Sequence, residues 1–190
     1  MKHIVRPAVT LLLVMTVLLG IAYPLLVTGI ARVIFPAQAA GSLIVRDGKV
    51  IGSRLIGQPF SDRRYFWSRP SATLPQPYNG LDSGGSNLGP LNPALITAVK
   101  RRIAALRAAD PGDHRPIPVD LVTASASGLD PDISLAAAYY QAGRVARARG
   151  LPRARVQALI AAHAKGSLLG VLGEPRVNVL ELNLALDRLR

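Results

Sequence analysis

The stretch PAVTLLLVMTVLLGIAYPLLVTGIA, residues 7–31, contains no charged residue, and its reading decides the architecture. At about 1.5 Å of rise per residue, a helix over this run is long enough to cross a hydrocarbon core of roughly 30 Å. It therefore predicts a transmembrane helix over 7–31. The competing reading is a cleaved signal peptide, since Lys2 and Arg6 form a basic n-region and Ala37-Gln38-Ala39 has the small-x-small form of a cleavage site. A signal h-region runs roughly 7–15 residues, and this one is longer, which favours a retained anchor.

Two features inside the run bear on its surroundings. Pro24 removes an amide donor and predicts a kink, and in a membrane the freed carbonyl is often satisfied by neighbouring helices. Gly20, Ala22, Thr28 and Gly29 are small enough to admit another helix closely, although glycine is common in membrane helices in any case. Lys2 and Arg6 lie on the short side, so the positive-inside rule predicts a cytoplasmic tail over 1–6. Arg32 on the far flank works against that orientation. A long trailing domain crosses largely regardless of its charge, so a linker over 32–41 and a soluble extracytoplasmic domain over 42–190 are expected, in a single-pass protein of the cell inner membrane with a periplasmic domain.

The 190 residues carry a formal net charge of +12 and no cysteine, which excludes disulfides, thiol catalysis and cysteine-ligated zinc. Residues 1–40 hold three basic residues and no acid, and the remaining 20 basic and 11 acidic residues leave +9 on the rest. Such a surface favours an acidic partner or anionic lipid. The cations are scattered arginines with no basic stripe of interleaved aromatics, so nucleic-acid binding is not expected.

Beyond the linker, Ser42–Arg46 and Lys49–Leu55 flank Asp47-Gly48, a pair suited to a type I′ hairpin turn. From Gly57 to Pro93 six prolines forbid a long helix, while Tyr65, Phe66, Trp67 and Tyr78 argue that this long loop is ordered. Asn92-Pro93 opens a helix to about Ala109, with Leu95, Val99, Ile103 and Leu106 recurring on one face. Val119–Val122 reads as a short strand. Asp130-Pro131 reads as a second helix start, running to Arg149 before Gly150. A further helix covers Pro152 to about Ala164. At the end, Val177–Val179 reads as a strand and the residues after it as a helix, with Asn178-x-x-Glu181 resembling a capping box. Together these predict an α+β domain, a small sheet covered by several helices.

No complete catalytic site is legible. His3, His114 and His163 are far apart and lack metal-ligand spacing, and there is no Gly-x-Ser-x-Gly elbow. Asp130 and Asp132 read as helix-dipole compensation rather than an acid–base pair. The candidate binding residues are Ser83, Gly84, Gly85, Ser86 and Asn87, where glycines allow close backbone approach and exposed N–H groups could cradle a phosphate or meet a partner. No Gly-Lys-Ser/Thr follows, so this is not a Walker A loop, and Leu81–Ser86 has only a short likeness to the signature loop of ABC ATPases. The other reading of the segment is a tight structural turn.

Taken in order, these segments resemble the KdpC family of subunits of bacterial potassium-importing Kdp P-type ATPases. The resemblance covers nearly the whole chain. It rests on the single N-terminal span, Gly41–Ile44, Gly52-Ser53, Leu55–Gln58, Tyr65-Phe66, Arg69–Ala72, Tyr78-Asn79, Ser83–Leu88, Asn92-Pro93, Asp120–Asp130, Arg144–Arg149 and Val177–Asp187. It implies a heteromeric complex with a channel-like potassium-translocating subunit, an ATP-hydrolysing P-type subunit and a small single-span peptide. The implied role is non-catalytic: assembly or stabilisation of the complex and stimulation of its ATP-hydrolysing subunit, with no cofactor of the chain's own and ATP reached only through the pump subunit. The alternative carried by the family is a nucleotide-binding catalytic chaperone that directly raises the pump subunit's ATP affinity. The expected topology conflicts with that alternative, because an extracytoplasmic domain cannot touch cytoplasmic nucleotide. It suits a position over the potassium entrance instead, where acids such as Asp82 or Asp120 would have to offset the domain's positive charge.

Overall fold

The apolar stretch forms one helix, Lys2–Val17 (α1), Leu18–Ala22 in π geometry and Tyr23–Ile34 (α2), in a computed structural model that describes residues 2–167 and 170–189. His3–Ile34 is long and apolar enough to cross a membrane, with none of its most apolar window buried within the chain. The helix thus extends at both ends beyond the predicted 7–31. Pro24 does not break it. Having no N–H, Pro24 cannot bond Gly20 O, and the chain takes up the mismatch one turn earlier, where the Tyr23 N–H donates to Leu18 O five residues back. The expected linker is also partly helical, since α2 continues to Ile34 and Pro36–Ala39 (α3) makes a further turn.

Two compact units divide at Val50/Ile51. At the boundary, Leu43–Arg46 (β1) and Lys49–Ser53 (β2) form the predicted two-stranded hairpin. Asp47 and Gly48 turn it with φ of 51° and 73°, both left-handed as a I′ turn requires.

The second unit is built from two strand–helix pieces. Asp132–Ser134 (β3) leads into Leu135–Arg149 (α5), and Arg176–Asn178 (β4) leads into Val179–Leu186 (α7). The strands pair antiparallel with Ile133 opposite Val177, both almost fully buried. Each helix takes its cap from the last strand residue: Ser134 Oγ accepts the Ala137 N–H, and Asn178 Oδ1 accepts the Glu181 N–H. The predicted strand then helix over 177–186 is therefore present. The helix expected from Pro131 starts later. Asp130 Oδ1 accepts the Asp132 N–H in a local turn, and Asp132–Ser134 is held extended by β4.

The α+β class is as read, with the sheet in two separate two-stranded pieces. Arg153–His163 (α6) packs on α5 and α7 through Val156 and Ile160. Gly150, with φ of 65°, closes α5 by sending its N–H to Ala146 O and Arg147 O. Val119–Leu121 is a 3₁₀ turn and not the predicted strand. Val119 O accepts the Val122 and Thr123 N–H groups and the Thr123 hydroxyl, and Arg102 donates to Leu121 O, so these carbonyls serve a tight turn rather than a ladder.

The predicted helix after Asn92 is Pro93–Ala109 (α4), with Asn92 Oδ1 accepting the Ala94 N–H. Its burial departs from the periodicity. Of the expected apolar face only Leu106 is buried, and Ile103 is 37% exposed.

Candidate functional site

The long proline-rich segment, 57–93, has no regular element before α4 begins at Pro93, yet it supplies the centre of the core: Phe66 is fully buried and Trp67 is 6% exposed. A buried main chain without a ladder must find other partners. Here two side-chain amides serve. Asn183 on α7 accepts the Phe66 N–H at 2.8 Å and donates to Phe66 O at 3.0 Å. Gln141 on α5 accepts the Trp67 N–H at 2.8 Å and donates to Trp67 O at 3.1 Å. Each amide presents one donor and one acceptor, as a strand residue would.

Around this clasp lie arginines. Arg144 stacks over Trp67 at 4.8 Å from the ring centre and Arg102 at 5.4 Å. Arg144 also donates to Gln141 Oε1 and Arg63 O. Burial holds its guanidinium down to about 10, and burial likewise lowers Arg102, which donates to Leu121 O and Ser68 O. Neither has a carboxylate within ion-pair distance among the described residues. Tyr65 extends the same dock, its hydroxyl donating to Asp187, which pairs with Arg149.

The Gly-rich candidates lie against the turn at 125–128. The Gly84 N–H and the Ser83 hydroxyl both donate to Ser127 O at 3.0 Å. A Cβ on Gly85 would sit 2.8 Å from Ala126 O, and one on Gly128 would sit 2.6 Å from Gly84 O. Gly85 and Gly128 thus allow two backbone segments to lie together, and the Gly84 N–H is already occupied. Ser86 opens onto a neighbouring cleft of about 440 Å³ between the loop and α4. Asn87, with φ of 50°, turns the chain out of the motif.

Asp130 pairs with Arg69 and Asp132 with Arg176, so both acids hold structure rather than a helix start. Asp120 Oδ2 accepts the Ser134 N–H, whereas Asp82 is exposed and has no ion pair among the described residues. His163 Nδ1 lies 2.9 Å from Leu159 O, a packed position at the end of α6. No cluster of three or more potential metal ligands occurs among the described residues.

Sequence reasoning missed Gln141, Asn183, Arg102 and Arg144. A signal existed for the first two: Gln141 follows the small apolar run of α5, and Asn183 interrupts the Leu-rich run of α7. An amide on an otherwise apolar helix face needs buried partners.

One N-terminal helix able to span a membrane, carrying an α+β unit assembled around a clasped aperiodic loop, defines the class as a single-span membrane protein. Comparison with known proteins narrows it. The family model "KdpC: K+-transporting ATPase, c chain" matches residues 5–188, and the chain belongs to that family. It is 68% identical over 187 residues to the "Potassium-transporting ATPase KdpC subunit" of Methylibium petroleiphilum, covering 98% of each chain. The protein of the same description from Variovorax paradoxus is 66% identical over 187 residues, covering 98% of this chain and 97% of the relative. That of Polaromonas naphthalenivorans is 67% identical over 190 residues, covering 100% and 97%.

Proposed function

We propose that this chain is an accessory, non-catalytic subunit of an ATP-driven potassium import complex, where it assembles or stabilises the complex and stimulates its ATP-hydrolysing subunit. Its partners are the channel-like potassium-translocating subunit, the ATP-hydrolysing subunit and a small single-span peptide. The observation that carries the reading is the form of the 57–93 loop. It is anchored from behind by the Gln141 and Asn183 amides, yet it shows solvent Leu74, Leu81 and Leu91 at 71%, 99% and 90% exposure. An ordered loop with outward leucines is a docking surface whose entropy of ordering is already met on folding. Ser83–Asn87 act within it as partner-contact residues. The occupied Gly84 N–H counts against their use as a phosphate cradle.

Residues 42–190 lie outside the cytoplasm on this proposal, with the amino terminus inside. Asp82 beside Leu81 then supplies negative charge on the docking face. Protease treatment of intact spheroplasts, with a cytoplasmic protein as leakage control, tests the orientation. Digestion of the domain from outside supports it. Protection until lysis reverses the topology and makes direct action on the nucleotide cycle the better account.

A further inference from the structure

Helix α4 is the least covered long element of the second unit. Only Leu106 and Ala109 of its 17 residues are buried. It carries Lys100, Arg101, Arg102 and Arg107 and no acid. Arg107 is held by the main-chain carbonyls of Asp113 and Arg115, and none of the four cations has a carboxylate within ion-pair distance among the described residues. The cleft of about 440 Å³ lies along this helix. Its walls are mostly apolar, with Leu88, Leu95 and Val122 among them, and Arg101 and Arg102 also line it. Arg102 is fixed in place by its bonds to Leu121 O and Ser68 O and by Trp67.

We infer that this cleft receives an acidic peptide segment of a partner polypeptide, with one apolar side chain entering beside Leu88, Leu95 and Val122 and a flanking carboxylate lying on Arg101 and Arg102. The inference rests on the reading of the chain as a subunit of a complex, and it adds to the outward leucines a contact made between the loop and α4. Charge complementarity selects the occupant. A guanidinium pre-positioned by main-chain carbonyls loses little freedom on meeting a carboxylate, and the partly desolvated site strengthens the pair. The apolar walls need a side chain, and a bilayer surface offers none to a concave cleft.

The test is made on the full chain in the intact membrane complex, with the photo-crosslinking amino acid benzoylphenylalanine replacing Ala98, an exposed residue of the cleft wall. The expected product is an adduct with another subunit whose crosslinked peptide holds Asp or Glu beside an apolar residue. Adding Arg101→Glu, an exposed position, should lower that adduct by about tenfold or more while the chain accumulates normally. Lipid adducts alone, no adduct, or an adduct that Arg101→Glu leaves unchanged overturn the inference. Failure of the unmodified chain to co-purify with any other subunit overturns the subunit reading instead, so the two failures are distinguishable.

Discussion

Replacing Gln141 with Leu removes three hydrogen bonds at once, those with the Trp67 N–H, Trp67 O and Arg144 Nη2. Leucine is close in volume, so little cavity forms and the loss is polar. Gln141 is 1% exposed, and water cannot readily take its place. Each main-chain group of Trp67 left without a partner costs about 1–3 kcal/mol. Arg144 keeps its bond to Arg63 O and adds a smaller share, giving about 3–5 kcal/mol in total. For a chain of this size that lowers the melting temperature by about 10 °C. Trp67 is the only tryptophan, so thermal unfolding of the full chain in detergent, followed by its fluorescence, reads the site directly. Gln141→Glu should fall between wild type and Gln141→Leu, because it keeps the acceptor for the Trp67 N–H and attracts Arg144 but turns an oxygen toward Trp67 O. A Gln141→Leu loss under about 1 kcal/mol would refute the claim that the amide clasp holds the loop.

Further outcomes follow from the same geometry. Gly84→Ala should be nearly neutral in unfolding experiments, since nothing lies within 4 Å of the added methyl, whereas Gly128→Ala should lose about 2–4 kcal/mol from its φ of 67° and the 2.6 Å approach to Gly84 O. Equal effects at the two sites would contradict the packing described. Leu81→Asp with Leu91→Asp should leave the melting temperature unchanged, both side chains being at least 90% exposed, but reduce recovery of the complex by pull-down; full recovery argues against the docking face. In acid, Arg64 holds Asp62 down to about 2 from 3.8, and the Arg115 hydrogen bond lowers Asp113. Both carboxylates are depressed in the folded state, so their contribution is present above the unfolded value of 3.8 and is lost below it, for Asp62 as pH falls through about 2. Urea midpoints across that range should show the decline, and the Asp62 carboxyl resonance should titrate near 2. An Asp62 titration at 3.8 would remove the Arg64 pairing.

Local rules carried the readings that rested on a contiguous pattern. The apolar run from Pro7 to Ala31, the Asp47-Gly48 turn, the Asn92 cap and the strand-to-helix switch at Asn178 each depend on residues within a few positions of one another. Such features survive in almost any tertiary setting. Readings that required a distant partner fared differently. Asp130-Pro131 has the form of a helix start, but β4, more than 40 residues later, holds Asp132–Ser134 extended. The apolar period of α4 is present, yet the rest of the unit covers only its last turns. What the tertiary structure alone decided is the use of the 57–93 loop. Its prolines announce irregular backbone, and its aromatics announce order, but the amides that satisfy Phe66 and Trp67 lie 117 and 74 residues away. The physical reason is that a buried main chain must be hydrogen-bonded by something, and sequence shows the need without showing which distant side chain meets it.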